Sequence, residues 1–345
     1  MRVALVPHFN VEYTVGLANA LANHAEVAVF AREDLLSPYR RFFAPKVECR
    51  EAPISRLMAT ATTTRAIRDY DPSIVHIQNA YTWLIPCLPL LESYPTILTI
   101  HDPKPHWGLE QPHSWPIVAL TLAFSDRVIV HGQRLREQLL ERYRLAPDKV
   151  RVLPLGELVP FTGSSKMPEE GNTVLFFGRI YPYKGLDQLL RAVPHILAEA
   201  PDSRFIIAGA GDLSRFPELR DDPHFEVHNR HIPLEDVADF FGRAAVVVLP
   251  YVEASQSAVL VLAYQHGKPV VATRTGGIPE LVDHGVTGIL VPPRDSNALT
   301  RAIVDLLSNP EKRRQMGAAA RRKIDQELNW DGIAEQTLAI YREIG

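Results

Sequence analysis

The 345 residues, 46% hydrophobic and 22% charged, give apolar content and length for two packed cores rather than one. A net charge of −3 leaves no broad basic field, which argues against nucleic acid as the main partner. Only two cysteines are present, Cys49 and Cys87, too few for a disulfide framework and not spaced as a metal knuckle, so the composition predicts a cytoplasmic protein.

The chain opens with a short apolar run that meets Pro7 and His8, which predicts a first strand rather than a secretory signal. Further strands are predicted at Glu26–Phe30, Ile74–Ile77, Thr96–Ile100, Arg127–Val130 and Val150–Leu153, after the first at Val3–Val6. Asp69-Tyr70-Asp71 reads as a helix exit before Pro72 rather than as a metal-binding Asp-x-Asp. The apolar window Trp83–Ile100 is interrupted by Pro86, Pro89, Glu92 and Pro95. It falls short of the about 20 apolar residues a membrane span needs, so contact with a membrane is expected to be peripheral at most. A second series of strands follows at Val174–Phe177, Phe205–Ala208, Phe225–His228, Val246–Leu249, Val270–Ala272 and Ile289–Val291.

Helical segments lie between most of these runs, and such alternation predicts parallel sheets covered on both faces. The Gly-, Pro- and Ser-rich stretch around Pro154–Asn172 reads as the break between two halves. The expected fold is α/β, with two Rossmann-like, doubly wound parallel-sheet domains facing a cleft. The predicted boundaries are 1–155 for the first domain, 156–172 for the linker and 173–328 for the second domain. A C-terminal helix in 329–345 is expected to pack across the junction.

Val174–Gly185, "VLFFGRIYPYKG", carries the clearest chemical signal. An apolar strand runs into Gly178 and delivers two cations, Arg179 and Lys184, just before a helix. Ligands of open α/β sheets bind beyond the carboxyl ends of the strands, and guanidinium and ammonium both suit phosphate. Two solvated basic residues on an ordinary loop are the alternative reading. Farther on, Ser255, Gln256 and Ser257 precede a helix of small and apolar residues whose N-terminus would offer free N–H groups to an anion. Ser255 or Ser257 is the candidate cap. Gly276 and Gly277 follow a strand and permit close backbone approach to a ligand. Glu280 either binds ligand hydroxyls or completes a capping pattern. His101, His106 and His113 lack the spacing of a zinc set, and no metal site is predicted. Tyr81, Trp83, Trp107 and Trp115 either line a binding site by stacking on a sugar or another apolar face or pack internally.

These segments together resemble the retaining glycosyltransferases of family 4, which have the glycosyltransferase-B fold. The likeness rests on "VLPLGE", "FFGRIYPYKGLDQLLRA", "FIIAGAGD" and "LPY…HGKPVVATRTGGIPELVDHGVTGILVPP", and on the strand patterns "SIVHIQN", "TILTIHD" and "SDRVIVHG". It covers nearly the whole chain and implies transfer of a hexose from a nucleotide diphosphate sugar, of UDP-sugar or GDP-mannose type, to an acceptor hydroxyl. The first domain would take the acceptor and the second the donor, which is a co-substrate, with no cofactor. The resemblance assigns Gly178 and Gly211 to the donor and places His101 over the donor sugar. It further implies a front-face mechanism in which the leaving phosphate takes the acceptor proton. The sequence departs from the family where paired glutamates are usual, at Ala254 and Leu262, with Glu253 one position off register. It also carries Phe9 and Asn10 where many relatives have glycines. These departures keep open a non-catalytic nucleotide-sugar-binding protein, while a sugar phosphorylase or sugar-nucleotide epimerase would suit the same scaffold. The acceptor cannot be read from the chain.

Overall fold

The computed structural model describes residues 1–8, 10–52, 57–79, 82–102, 114–161 and 163–345, with backbone alone at 57–60, 82–84 and 114–115. Phe9, Tyr81, His106, Trp107 and His113, together with the side chains of Trp83 and Trp115, lie outside the described residues. The chain divides into two compact units. One is built from residues up to 160 together with 327–345, and the other from 161–326.

The first unit is a seven-stranded sheet in the order β3-β2-β1-β4-β5-β6-β7. Its strands are β1 (Arg2–Pro7), β2 (Glu26–Ala31), β3 (Val47–Glu51), β4 (Ile74–Gln78), β5 (Thr96–Ile100), β6 (Arg127–Val130) and β7 (Val150–Val152). All pairings are parallel. Val3, Ala4, Leu5 and Val6 are all fully buried, as a central strand covered on both faces requires. Strand β3 is absent from the sequence reading because "VECRE" has only Val47 buried and pairs on one side, with β2. An edge strand needs no continuous apolar run.

The helix Trp330–Arg342 packs in this unit, against the helix Val11–Leu21. The indole N–H of Trp330 donates to the Glu157 carbonyl at 2.7 Å. A Cβ on Gly16 would lie 2.1 Å from that indole, so the glycine makes room for the tryptophan. Asn329 caps the helix by accepting from the Gly332 N–H at 2.9 Å.

The second unit is a six-stranded sheet in the order β10-β9-β8-β11-β12-β13. Its strands are β8 (Thr173–Phe177), β9 (Arg204–Ala208), β10 (Phe225–His228), β11 (Val246–Leu249), β12 (Val270–Thr273) and β13 (Gly288–Val291), again all parallel. The helix Leu186–Glu199 buries Leu186, Leu189, Val193 and Ile196 at helical spacing and packs on the helix Ser296–Ser308. Each such fully buried side chain contributes about 1.5–3 kcal/mol of transfer free energy. The order reverses between β8 and β11, and at that switch point the connections leave in opposite directions and open a crevice at the carboxyl ends. No helix among the described residues is long and apolar enough to cross a membrane.

Candidate functional site

The loop after β8 starts at Gly178, in the left-handed region at φ 95°. A Cβ there would stand 2.7 Å from Lys184 Nζ and 3.3 Å from Val259 Cγ2. The glycine therefore lets both the lysine and the start of the helix Ala258–Gln265 come against the backbone. Gly209 does the same on β9, where a Cβ would meet the Gly178 carbonyl at 2.2 Å. The loop is then tied to β11. Gly185 turns at φ 70° with its Cα against the Pro250 carbonyl, and the Val252 N–H donates to the Tyr183 carbonyl at 2.8 Å.

This framework buries Lys184, only 9% exposed, with Nζ 5.5 Å from the centre of the Tyr251 ring. Burial first, and then the charge of Arg179, lower its pKa to about 8. Among the described residues no carboxylate offsets either effect, so the ammonium stands buried beside a second cation. Arg179 itself is exposed, its guanidinium 5.3 Å from the Tyr181 ring centre. The two cations thus differ in kind: one is a fixed buried charge, the other a solvated fork.

Tyr251 links the lysine to the third element of the site. Its hydroxyl lies 3.4 Å from Ser257 Oγ, and Ser257 caps the helix Ala258–Gln265 by accepting from the Leu260 N–H at 3.3 Å. The cap is Ser257, not Ser255. Ser255 is buried and uses its carbonyl to accept from the Gly277 N–H at 2.9 Å. A Cβ on Gly276, at φ 52°, would be 1.7 Å from the Ala254 carbonyl, and one on Gly277 would be 2.2 Å from Gln256 Nε2. The two glycines are required in the first instance by the chain's own 254–256 segment. Gly178, Lys184, Ser255, Gln256, Ser257, Gly276 and Gly277 therefore gather at the carboxyl ends of β8, β11 and β12.

Three candidates stand apart from that group. Gly211 lies beyond the end of β9, bridged to Ile180, with its N–H donating to Asn229 Oδ1 at 3.0 Å. Glu280 is exposed on the four-residue helix Ile278–Leu281. His101 belongs to the first unit, at the end of β5, and is 8% exposed. Ala254 and Leu262 are buried, at 9% and 4% exposure, so neither position of the usual glutamates presents a polar group.

Sequence reasoning missed Tyr251, which lies between the lysine and the helix cap, and the polar groups His76, Gln78 and His131 of the first unit. The signal for His76 and Gln78 was present: two polar residues two apart in "IVHIQ" point to one face of a strand that is otherwise apolar and buried throughout.

Residues 11–156 match the model of Glycosyltransferase Family 4, and residues 171–309 match that of Glycosyl transferases group 1. The chain is 30% identical over 313 residues to the alpha-maltose-1-phosphate synthase of Mycolicibacterium smegmatis, covering 79% of each chain. It is 31% identical over 255 residues to the D-inositol 3-phosphate glycosyltransferase of Streptomyces coelicolor, covering 64% of this chain and 56% of that protein. The match thus spans little more than half the length of the second relative. In fold it resembles HepE of Anabaena in complex with UDP-glucose, at a TM-score of 0.76 and 18% identity, over 99% of this chain and 100% of the other. The two doubly wound sheets are those of the glycosyltransferase-B fold, and the chain belongs to the group 1 glycosyltransferases of family 4.

Proposed function

We propose that this chain is a retaining glycosyltransferase that moves a hexose from a nucleotide diphosphate sugar to an acceptor hydroxyl. The observation that carries this reading is Lys184: a buried ammonium at the switch point of the second sheet, beside Arg179 and with no carboxylate among the described residues to offset it. A diphosphate supplies the missing counter-charge. Negative charge on that group grows as the glycosidic bond breaks, so contacts that strengthen with it accelerate the reaction. Lys184 is held in place before the donor arrives, while the Arg179 fork swings in from solvent. The N–H groups at the helix start behind Ser257 add an uncharged anion contact.

A front-face mechanism, in which the leaving phosphate oxygen takes the acceptor proton, needs no carboxylate nucleophile. It therefore tolerates alanine and leucine at 254 and 262. His101 is read as a further participant in transfer on the family likeness alone. The solved HepE complex with UDP-glucose favours a UDP-sugar over a GDP-mannose type donor. The same buried Ala254 and Leu262 favour a second reading, a binding protein that holds a nucleotide sugar without turning it over.

Incubation with a panel of nucleotide sugars, with and without sugar acceptors, separates the two. Nucleoside diphosphate release that rises with acceptor, and an α-linked product from an α-linked donor, are expected. Saturable donor binding with no release under any acceptor supports the binding protein, and an isomerised donor overturns both readings in favour of an epimerase.

A further inference from the structure

Both cations of the loop after β8 rest on aromatic rings. The Arg179 guanidinium lies over the Tyr181 ring, 5.3 Å from its centre, and Lys184 Nζ lies 5.5 Å from the centre of the Tyr251 ring. Both distances fall inside the cation–π reach of about 6 Å. A third ring joins the two. Tyr183 stacks on Tyr181 at 6.1 Å between centroids and 20° between planes, and it meets Tyr251 edge to face at 6.2 Å and 77°. Tyr251 is buried and the other two rings are half-buried, so this platform runs from the exposed arginine down to the buried lysine.

The backbone sets where the rings stand. Tyr181 is extended, at φ −112° and ψ 154°, and Pro182 opens the 3₁₀ turn Pro182–Lys184 with its φ fixed by the pyrrolidine ring. The Lys184 N–H closes the turn by donating to the Tyr181 carbonyl at 3.0 Å. Tyr183 is anchored beside it, since its carbonyl accepts from Val252.

A ring holds a cation differently from a carboxylate. Arg243 in the same unit is gripped by Glu170 and Glu226, and an incoming anion would have to compete with both. Arg179 forms no ion pair among the described residues. The quadrupole of a ring attracts the guanidinium without cancelling its unit charge, and contact over the face leaves the N–H edge for the fork geometry that phosphate takes. A long side chain loses rotamer freedom when a ligand orders it, and one already resting on a ring has lost part of that freedom beforehand.

We propose that Tyr181 is a positioning residue for Arg179, its ring holding the guanidinium at the carboxyl end of β8 with charge and N–H edge open to an anion. The importance of this for transfer rests on the reading that Arg179 contacts the donor diphosphate. Under that reading the swing of the fork to the donor is a turn over one ring, and the stacked Tyr183 keeps that ring in place.

Proton–carbon NMR of the full chain labelled at arginine, with Arg179→Lys to assign the signal, tests the contact without any ligand. The ring current of Tyr181 is expected to displace the Arg179 Hδ signals upfield of the ordinary position for an exposed arginine. Tyr181→Phe keeps the displacement and Tyr181→Leu abolishes it. A wild-type signal at the ordinary position overturns the proposal even where a variant fails to fold. So does a displacement that survives in a folded Tyr181→Leu. Titration with UDP reads the consequence. Tyr181→Leu is expected to weaken UDP binding about two- to fivefold, the usual size of an exposed cation–π contact, and Tyr181→Phe to restore it. In an Arg179→Ala background Tyr181→Leu should add nothing. An equal loss with and without Arg179 means that the ring touches the nucleotide itself and overturns the positioning role. UDP binding as tight in Arg179→Ala as in the wild type removes the diphosphate reading of Arg179 and leaves its positioning by Tyr181 to be decided by the spectra.

Discussion

At the scale of single residues, the proposed donor site separates two kinds of cation by burial. If both hold the leaving diphosphate as proposed, removing either one deletes a charge-assisted contact to it, and loss of one such preorganised contact costs about 10²–10³ in rate. Arg179→Ala and Lys184→Ala are therefore expected to lose turnover on that scale, measured as nucleoside diphosphate release, with unchanged far-UV circular dichroism. The two then diverge in stability. The Lys184 pKa falls to about 8 from an ordinary value above 10, so the unfolded chain binds the proton more tightly. The penalty for burying the ammonium is full below pH 8 and relieved as pH rises from 8 towards 10, and stability rises across that window. Lys184→Met fills the same space without the charge. It is expected to match or exceed the wild type in melting temperature at pH 7 and to abolish the rise above pH 8. A melting temperature that drops with Lys184→Met would mean that the ammonium has a stabilising partner. Donor affinity in the wild type should weaken above pH 8 in the free protein, because binding needs the protonated lysine.

At the scale of elements, the sequence located twelve of the thirteen strands among the described residues because a buried parallel strand writes itself as an apolar run. Thr96–Ile100, Arg127–Val130, Phe225–His228 and Val246–Leu249 coincide with the observed spans, the first strand differs by a residue at each end, and the others differ by a residue at one end. The edge strand Val47–Glu51 escaped because its partner lies on one side only and its residues alternate with charge. The phosphate-side candidates were legible for the same local reason, a strand ending in glycine followed by cations. What local reading could not supply was contact between distant segments. Tyr251 under Lys184, and the closure of Gly276 and Gly277 on 254–256, become visible only when β11 and β12 lie side by side. Gly276 gives a test of that closure. Its left-handed φ and the 1.7 Å approach of a Cβ to the Ala254 carbonyl leave no room for alanine. Gly276→Ala should cost about 1–3 kcal/mol in urea unfolding and weaken donor binding by disturbing Ser255 and Ser257. Gly171→Ala, where a Cβ meets nothing within 4 Å, serves as the control and should leave both within error.

At the scale of the whole molecule, the two units store their charge differently, and this governs their response to metal removal and to acid. Under the proposed reading the second unit provides positive potential for a diphosphate from its own side chains, so transfer is expected to continue in EDTA. Activity lost with EDTA and restored by Mg²⁺ or Mn²⁺ would contradict that. The first unit holds neutral imidazoles. Burial lowers the pKa of His76 to about 3 and that of His131 to about 4, and it drives His101 well below the ordinary value, with the neighbouring histidines adding to the shift. A histidine whose pKa is lower folded than unfolded binds more protons in the unfolded state, so its stability contribution is complete above about pH 6.5 and falls as pH drops through 6.5 towards 3. Each contributes a slope of up to about 1.4 kcal/mol per pH unit. In the second unit one histidine, His266, is lowered in the same way, to about 4 and first by burial, whereas Glu226 is the opposite charge type, held down to about 2 first by its hydrogen bond to Arg243. Its contribution is present above about pH 4.5 and lost only below that. Acidification from pH 7 to 5 should therefore loosen the first unit before the second. In hydrogen-exchange mass spectrometry at pH 5, with rates corrected for intrinsic pH dependence, peptides from β4, β5 and β6 should lose protection relative to pH 7 while those from β8, β9 and β11 keep theirs. Uniform loss in both units would indicate that the buried histidines of the first unit do not set the acid limit. In His76→Gln the slope between pH 6.5 and 5 should be shallower than in the wild type, since glutamine can meet the Tyr341 and Thr99 hydroxyls, each 2.7 Å from the His76 ring, without taking up a proton.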